Sequence, residues 1–431
     1  MIGPIVNPAF GPKSVSGNGQ SPHPEFLHFL PFPATNMLCN NGKLVRLLAL
    51  GGRPAEFHAA WLAHYCPCPQ CKQQSSGQRL ERLSSASRNA TISAVELTPS
   101  HLEVAFSPQH LAQFPLPWLD KHRYDQDTVQ QRRLALTLQE RAKPYLKVLD
   151  YKKDEEAKDP LSWLSFAVNG VLVVENTPVE DNFLLDFIRP SQCESSHKLY
   201  GETFVVEALE ESINVAYSTH KLEAHQDLVY YESPPGLQLL HCQAFDESIV
   251  GGESTFVDGL AAAEELRCKD PTAFAVLCRI PATFQKDHVE RTDPAKMFYQ
   301  RPHIQVDHLG AVVAVFWAPP FEGPLQIANS NDVEAYFDAY EKYRAILVDS
   351  EFLKSHGVRF RTKPGNLVVF NNRRYLHGRE AFSVPVGGSQ RRRLHGCYLE
   401  MDRVLNRIRY LQSLQTNRRL DTTRPGTTSF L

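Results

Sequence analysis

The segment Ala224-His225-Gln226-Asp227, answered far downstream by Asn371-Asn-Arg-Arg-Tyr-Leu-His377-Gly-Arg379, decides how this chain is read. In an extended strand, residues i and i+2 point to the same face, so His225 and Asp227 reach one metal ion from one strand. A distant histidine on the same side, following the apolar run Leu367-Val-Val-Phe370, completes the set. Two histidines and one carboxylate with open positions form the facial triad of non-haem Fe(II) oxygenases. His-x-Asp alone occurs by chance, and a lone histidine is more often a core or surface residue. Context makes the selection: a Pro234-Pro-Gly236 turn and the apolar strand ending at His241-Cys242 follow the pair, and a strand-like run precedes His377.

Fe(II) held by three protein ligands needs an electron source to activate O2, and 2-oxoglutarate supplies it by chelation through its keto-acid end. The far carboxylate of 2-oxoglutarate then requires a buried cation, best an arginine that pairs bidentately. Arg391, Arg392 and Arg393 are the candidates. Strand alternation separates them: Arg392, Leu394, Gly396 and Tyr398 share one face, and Arg391, Arg393, His395 and Cys397 share the other. The apolar face is expected to point inward, which selects Arg392. The other two read as surface arginines, and Arg379 is a weaker alternative.

With 431 residues the chain is long enough for a large core and two domains. A hydrophobic content of 42%, a charged content of 22% and a net charge of -2 are those of a globular protein with no nucleic-acid or membrane surface. No apolar run approaches the length of a bilayer span. The first residues lack the pattern of a signal peptide or an Arg-rich presequence, and the final Ser-Phe-Leu lacks the basic middle residue of a peroxisomal signal, so the expected location is cytoplasmic. Nine cysteines, three of them at Cys66, Cys68 and Cys71, argue for metal binding in a reducing compartment rather than for a disulfide framework. Cys-x-Cys-x-x-Cys supplies three thiolates suited to a tetrahedral structural Zn2+, with the fourth ligand coming from elsewhere; His64 is close in sequence.

Residues 1–35, rich in Pro, Gly, Ser and Asn, are expected to be disordered. A small β-rich, zinc-binding domain is expected over 36–120, a helical linker over 121–155 with its helical pattern at 127–150, and a catalytic domain over 156–415. A flexible tail of 416–431 follows. Within the catalytic domain, strands are expected at 170–175, 312–317, 358–362, 366–370 and 392–399, and helices over 258–279 and 331–356. The fold class is α+β, mainly β: a barrel or jelly roll whose mouth holds the metal.

Several stretches carry a resemblance to a known family. They are Trp61-Leu-x-x-x-Cys66-x-Cys68-x-x-Cys71, Tyr200-Gly, Asn214-Val-Ala-Tyr217, His225-x-Asp227, Pro234-Pro-Gly-x-Gln-Leu-Leu-His-Cys242, Gly251-Gly-x-Ser-x-x-Val-Asp-Gly259 and Leu376-His-Gly-Arg379. From roughly 35 to 415 the chain resembles γ-butyrobetaine dioxygenase and trimethyllysine dioxygenase, within the taurine dioxygenase-like Fe(II)/2-oxoglutarate enzymes. The resemblance implies a double-stranded β-helix catalytic domain, a small N-terminal zinc domain and a homodimer. By carry-over, His225, Asp227 and His377 bind iron, Arg392 binds 2-oxoglutarate, and Leu240 and Ser254 line the cosubstrate pocket. His110, ahead of Phe114 and Trp118, matches the family's fourth zinc ligand beside Cys66, Cys68 and Cys71.

In that family, aromatic faces hold a trimethylammonium group. Tyr200, Tyr217 and Tyr398 match cage positions, and Asn214 remains. Phe204 stands where the butyrobetaine enzyme has Trp, and Leu228 where it has Tyr. The segment Val315-Phe-Trp-Ala-Pro-Pro-Phe321 also departs, its aromatics reshaping the pocket or serving as core. The expected function is therefore oxidation of an unactivated C–H in a small amino-acid-like or zwitterionic substrate, by hydroxylation, desaturation or cyclisation, in specialised metabolism. Hydroxylation of γ-butyrobetaine or trimethyllysine in carnitine biosynthesis is the alternative, and a non-catalytic metal-binding scaffold is a third reading that the intact triad disfavours.

Overall fold

The computed structural model describes residues 37–80, 89–107, 110–137, 145–207, 219–290, 294–327, 329–383 and 391–415. The segments 1–35 and 416–431, and with them the expectations of disorder and a flexible tail, lie outside the described residues. The described residues divide into two compact units, one ending at Arg123 and the other running from Tyr124, with Gln73–Arg79 grouped with the second. No helix among the described residues is long and apolar enough to cross a membrane.

The first unit holds two three-stranded antiparallel sheets, Met37–Asn40, Leu44–Leu50 and Arg53–His58 in one, and Thr91–Leu97, His101–Ser107 and His110–Pro115 in the other. Alternate residues of the strands, among them Val45, Leu47, Phe57, Leu102, Val104 and Phe114, are buried together with Leu62 and Leu119 from two short helices. This is the period-two pattern of half-buried strands.

The second unit is built on two sheets. Six strands run edge to edge as Leu146–Asp150, Val171–Glu175, Leu367–Asn371, Leu237–Phe245, Arg392–Leu399 and Thr203–Glu207. Four run as Leu222–His225, Tyr375–Arg379, Ser254–Asp258 and Gly357–Phe360. One face of the six-stranded sheet places Leu172, Leu239, Val369 and Leu399 against Trp163, Phe187, Val404 and Ile408 from flanking helices. Its other face places Val171, Val173, Val368 and Phe370 against Phe256 and Tyr375 of the four-stranded sheet. Both faces are covered, which is why Val171-Leu-Val-Val174 is apolar without alternation.

Two expectations change. The helical pattern of 127–150 yields a helix over Gln126–Thr137, but Leu146–Asp150 is a strand, parallel to Val171–Glu175. Pairing against a buried valine-rich strand outweighs local helix propensity there, and the catalytic unit's sheet thus begins before residue 156. The helices expected at 258–279 and 331–356 are each divided by an aspartate. Asp270 ends Gly259–Lys269 and its carboxylate accepts from the amides of Thr272 and Ala273 to start Pro271–Arg279. Asp349 likewise separates Asn331–Val348 from Ser350–His356. A side-chain cap satisfies amides that a continuous helix would otherwise satisfy through its backbone, and Pro271 has no amide hydrogen to continue one.

Asp258, the last acid of the Gly251–Gly259 motif, has two duties. Its Oδ1 caps the helix that follows, accepting from Leu260 and Ala261, and its Oδ2 accepts from Arg374 at 2.8 and 3.1 Å. Both side chains of this ion pair are buried, at 1% and 4% exposure. Removing one charge from a buried pair leaves the other uncompensated. Asp258→Asn is therefore expected to lower the free energy of unfolding by about 3–5 kcal/mol, read from chemical denaturation. A change below 1 kcal/mol would show that the pair contributes little.

Candidate active site

His225 ends the strand Leu222–His225, and His377 is the middle residue of Tyr375–Arg379. The antiparallel register sets the two directly opposite, with ring centroids 4.5 Å apart. Asp227, two residues past the strand, turns back over them: its Oδ1 lies 3.4 Å from His225 Nε2 and its Oδ2 4.0 Å from His377 Nε2. One ligand atom from each residue falls within 4.8 Å of the others, a spacing that one ion can bridge. His225 Nδ1 donates to the Glu223 carbonyl at 2.9 Å, which leaves Nε2 as the free lone pair. Burial, and then the neighbouring His225, push His377 down to about 4, so it is a neutral imidazole at physiological pH, the state a metal requires. Burial works to raise Asp227, but His225 and His377, together with the Tyr398 hydroxyl, hold it well below the usual carboxylate range.

The turn carrying Asp227 is pinned by amide side chains. Gln226 donates from Nε2 to the Asn372 carbonyl and accepts from the Trp317 amide at Oε1, while its own amide donates to the Trp317 carbonyl. Asn372 accepts from the Asp227 amide and donates to the carbonyls of Asp227 and Pro235. Gln226, the unspecified residue of His-x-Asp, is thus a cross-link between three segments. Trp317 and Phe316 are core residues, at 2% and 6% exposure, and Trp317 reaches the site only through its backbone. The reading of these aromatics as core is the one the packing supports.

A cavity, part of it open to solvent, runs from the His225/Asp227/His377 cluster to Arg392. Leu240, Ser254 and Phe204 line it, as do Gln238 and Arg379. Arg392 is 4% exposed and among the described residues its Nε has no hydrogen-bond partner. Burial, then the nearby Arg379, push Arg392 down to about 10, so it stays charged with no carboxylate paired to it among the described residues. A buried cation without an anion is costly, and a carboxylate entering the cavity would relieve that cost. Arg391 is exposed, and Arg393 bonds Gln243 and pairs with Glu207 on the opposite face. Arg379 also reaches the cavity, donating to the His220 carbonyl.

The expected substrate residues fall in different places. Tyr200, Phe204 and Tyr398 form a row, with Phe204 stacked on Tyr398 at 4.9 Å and 6.3 Å from Tyr200. Leu228 does not reach the cavity. It adopts a left-handed backbone (φ 59°) at 2% exposure and packs in the core with Val229 and Tyr230. The resemblance set Leu228 at a cage position; here the turn that begins at Asp227 carries its side chain into the core. Tyr230, passed over in the sequence, instead lies close to Tyr200 and Asp227: burial, then Tyr200, raise its hydroxyl far above the usual range. Asn214 and Tyr217 lie outside the described residues. Gln238 was also passed over, although it shares a strand face with Leu240.

In the first unit, Cys66, Cys68, Cys71 and His110 converge. His110 Nε2 lies 3.1, 3.7 and 3.3 Å from the three sulfurs in turn, and Cys68 and Cys71 Sγ are 3.4 Å apart. A tetrahedral Zn2+ with bonds near ~2.3 Å to sulfur and ~2.05 Å to nitrogen sets its ligands roughly 3.5–3.8 Å apart, so the cluster has nearly that size. His64 packs edge-on against Tyr65 and is not part of it.

The Gln226 cross-link generates a prediction. Gln226→Leu fills the same space but strands the Trp317 amide and the Asn372 carbonyl, so it should cost about 2–4 kcal/mol of unfolding free energy. Denaturation midpoints within error of the unsubstituted protein would contradict it.

Residues 135–398 match the family model described as taurine catabolism dioxygenase TauD, TfdA family, and residues 39–121 match the model of the N-terminal part of γ-butyrobetaine hydroxylase-like proteins. Among relatives, the γ-butyrobetaine dioxygenase of Pseudomonas sp. (strain AK-1) is 31% identical over 375 residues, covering 84% of this chain and 92% of its own. That of Homo sapiens is 26% identical over 392 residues, covering 87% and 96%. The mitochondrial trimethyllysine dioxygenase of Bos taurus is 25% identical over 374 residues, covering 82% of each. With the oxygenase model spanning most of its second unit and a relative matched over nearly its full length, the chain belongs to the TauD/TfdA family and is a 2-oxoglutarate-dependent dioxygenase.

Proposed function

We propose that His225, Asp227 and His377 hold Fe(II), that Arg392 holds the far carboxylate of 2-oxoglutarate, and that the enzyme oxidises an unactivated C–H of a small amino-acid-like or zwitterionic substrate. The observation that carries this reading is the pairing of two features in one cavity: three metal-ligand side chains at one end, and a buried arginine with no carboxylate partner among the described residues at the other. When bound, iron with 2-oxoglutarate would supply O2 activation, one oxygen atom going to succinate with loss of CO2 and the other entering a hydroxylated product or, in desaturation or cyclisation, leaving as water. The chain's own residues do the rest. His225 is oriented by its bond to the Glu223 carbonyl, and His377 is kept neutral by burial. Leu240, Phe256 and Leu394 wall the cavity with apolar surface, which excludes water and strengthens the Arg392–carboxylate attraction. Ser254 adds a polar group to the cosubstrate's surroundings.

The row of Tyr200, Phe204 and Tyr398 beside Asp227 supports a substrate that presents a cation or a flat apolar group to aromatic faces. A second reading, hydroxylation of γ-butyrobetaine or trimethyllysine, is favoured by the names of the relatives. Leu228, turned into the core, provides no aromatic face in its support. Succinate release separates the two: turnover with γ-butyrobetaine or trimethyllysine far above that with a panel of amino acids establishes the second reading and removes the first.

The iron and cosubstrate assignments have their own tests. His225→Ala and Asp227→Ala are expected to abolish 2-oxoglutarate decarboxylation, and retention of ordinary turnover by either would sink the assignment. Arg392→Met should raise the KM for 2-oxoglutarate at least ~100-fold, the equivalent of about 3 kcal/mol for a charge-assisted contact, with folding intact. A KM unchanged in that variant would place the anion elsewhere.

We also infer that Cys66, Cys68, Cys71 and His110 bind one structural Zn2+. A four-ligand set leaves no open position and so points to a structural role. Metal analysis of the purified protein should find one zinc per chain, lost in Cys68→Ser. A full complement of zinc in that variant would overturn the assignment.

A further inference from the structure

A three-ligand cluster accounts for the position of Asp227 but not for the difference between its two carboxylate oxygens. Oδ1 faces His225 Nε2 at 3.4 Å. Oδ2 accepts two hydrogen bonds, from Gln238 Nε2 at 2.8 Å and from the Tyr398 hydroxyl at 2.8 Å. Those two donors come from the neighbouring strands Leu237–Phe245 and Arg392–Leu399, where Gln238 and Tyr398 are register partners directly opposite each other. One cross-strand pair therefore converges on one oxygen.

Gln238 is an unusual residue to find in this position on packing grounds. It is 1% exposed, and among the described residues its Oε1 has no hydrogen-bond partner. Burying an amide with its carbonyl unsatisfied is unfavourable, and a leucine would fill the place without that penalty. The side-chain hydrogen bond found for Gln238 is the one to Asp227. Tyr398 is also buried, its ring stacked on Phe204, and its hydroxyl is spent on the same oxygen.

We propose that Gln238 and Tyr398 are positioning residues that hold Asp227 Oδ2 as a hydrogen-bond acceptor, so that Asp227 offers only Oδ1 to the metal. This rests on the reading of His225, Asp227 and His377 as an iron site. An oxygen accepting two hydrogen bonds has both of its lone pairs engaged, and two-oxygen ligation would require giving up at least one of those bonds. Single-oxygen ligation leaves the remaining positions for the cosubstrate's two donor atoms and for O2. It also assigns Tyr398 a second duty: its orientation is set by Asp227, so its ring is a fixed wall of the aromatic row.

The test uses the full chain with Gln238→Leu, Tyr398→Phe and the double substitution, prepared metal-free at the triad. Co(II), which does not turn over, is titrated by calorimetry, and the visible charge-transfer band of the anaerobic Fe(II)–2-oxoglutarate complex is recorded. Each single substitution should weaken Co(II) binding on the order of 10-fold and the double on the order of 100-fold, and the band should shift in position. A merely structural role would instead move the thermal midpoint while leaving affinity and band position unchanged, and that result overturns the proposal. Tyr398→Phe keeps the ring and its packing, so it reports on the hydroxyl even if Gln238→Leu fails to fold. Asp227→Ala is the control: if it binds Co(II) as tightly as the unsubstituted protein, the iron-site reading itself is wrong, a failure distinct from unaltered binding in the two positioning variants.

Discussion

The antiparallel register that sets His225 against His377 is the constraint on which the site depends. Side chains on a strand alternate with a period of two, so a slip of one residue would send one imidazole to the opposite face and leave no shared ion position. The strand carrying His225 is only four residues long, too short to secure its register by ladder hydrogen bonds alone. Gln226 and Asn372 compensate. They tie the residue after His225, the turn at Asp227 and the backbone of Trp317 into one hydrogen-bonded unit. The core built around Trp317, His303 and Tyr340 then anchors that unit from behind.

The cavity is electrostatically divided. Asp227 is held ionised at one end by its imidazole neighbours, whereas Arg392 and Arg379 are held charged, against the cost of burial, at the other. The walls between are apolar, so the two ends keep their separate characters and a ligand with a metal-chelating head and a carboxylate tail matches both. Arg361 extends the positive end but donates to the Gly251 and Ile249 carbonyls, which makes it a brace for the neighbouring loop rather than a free cation.

The structure also explains why some sequence motifs are what they are. The Gly251–Gly259 stretch ends in Asp258, whose two oxygens serve a helix cap and a buried arginine. In the Pro234–Cys242 stretch, Gly236 approaches the Met401 backbone so closely that a Cβ would lie 2.5 Å from its nitrogen. Gln238 and Leu240, further along that stretch, face the cavity. The chemistry of the motifs is therefore divided between packing constraints and contacts to the site.

Much of this was legible in the chain itself. His-x-Asp spacing and a later histidine behind an apolar strand pick out three side chains that the fold brings within ligand distance of one another. Strand alternation separated Arg392 from Arg391 and Arg393, and three thiols at Cys-x-Cys-x-x-Cys spacing announce a metal-ligand cluster. Strand alternation has no say where strands end: Asp227 lies in a turn past its strand, and the turn brings it back to the histidines. Leu228, one residue into a turn, points into the core, and Tyr230 rather than Leu228 lies beside Tyr200. Nor does local sequence contain the strand at Leu146–Asp150 or the convergence of Gln238 and Tyr398 on one carboxylate oxygen. Each of those depends on segments distant in sequence meeting in one register, a property of long-range pairing that only the tertiary structure decides.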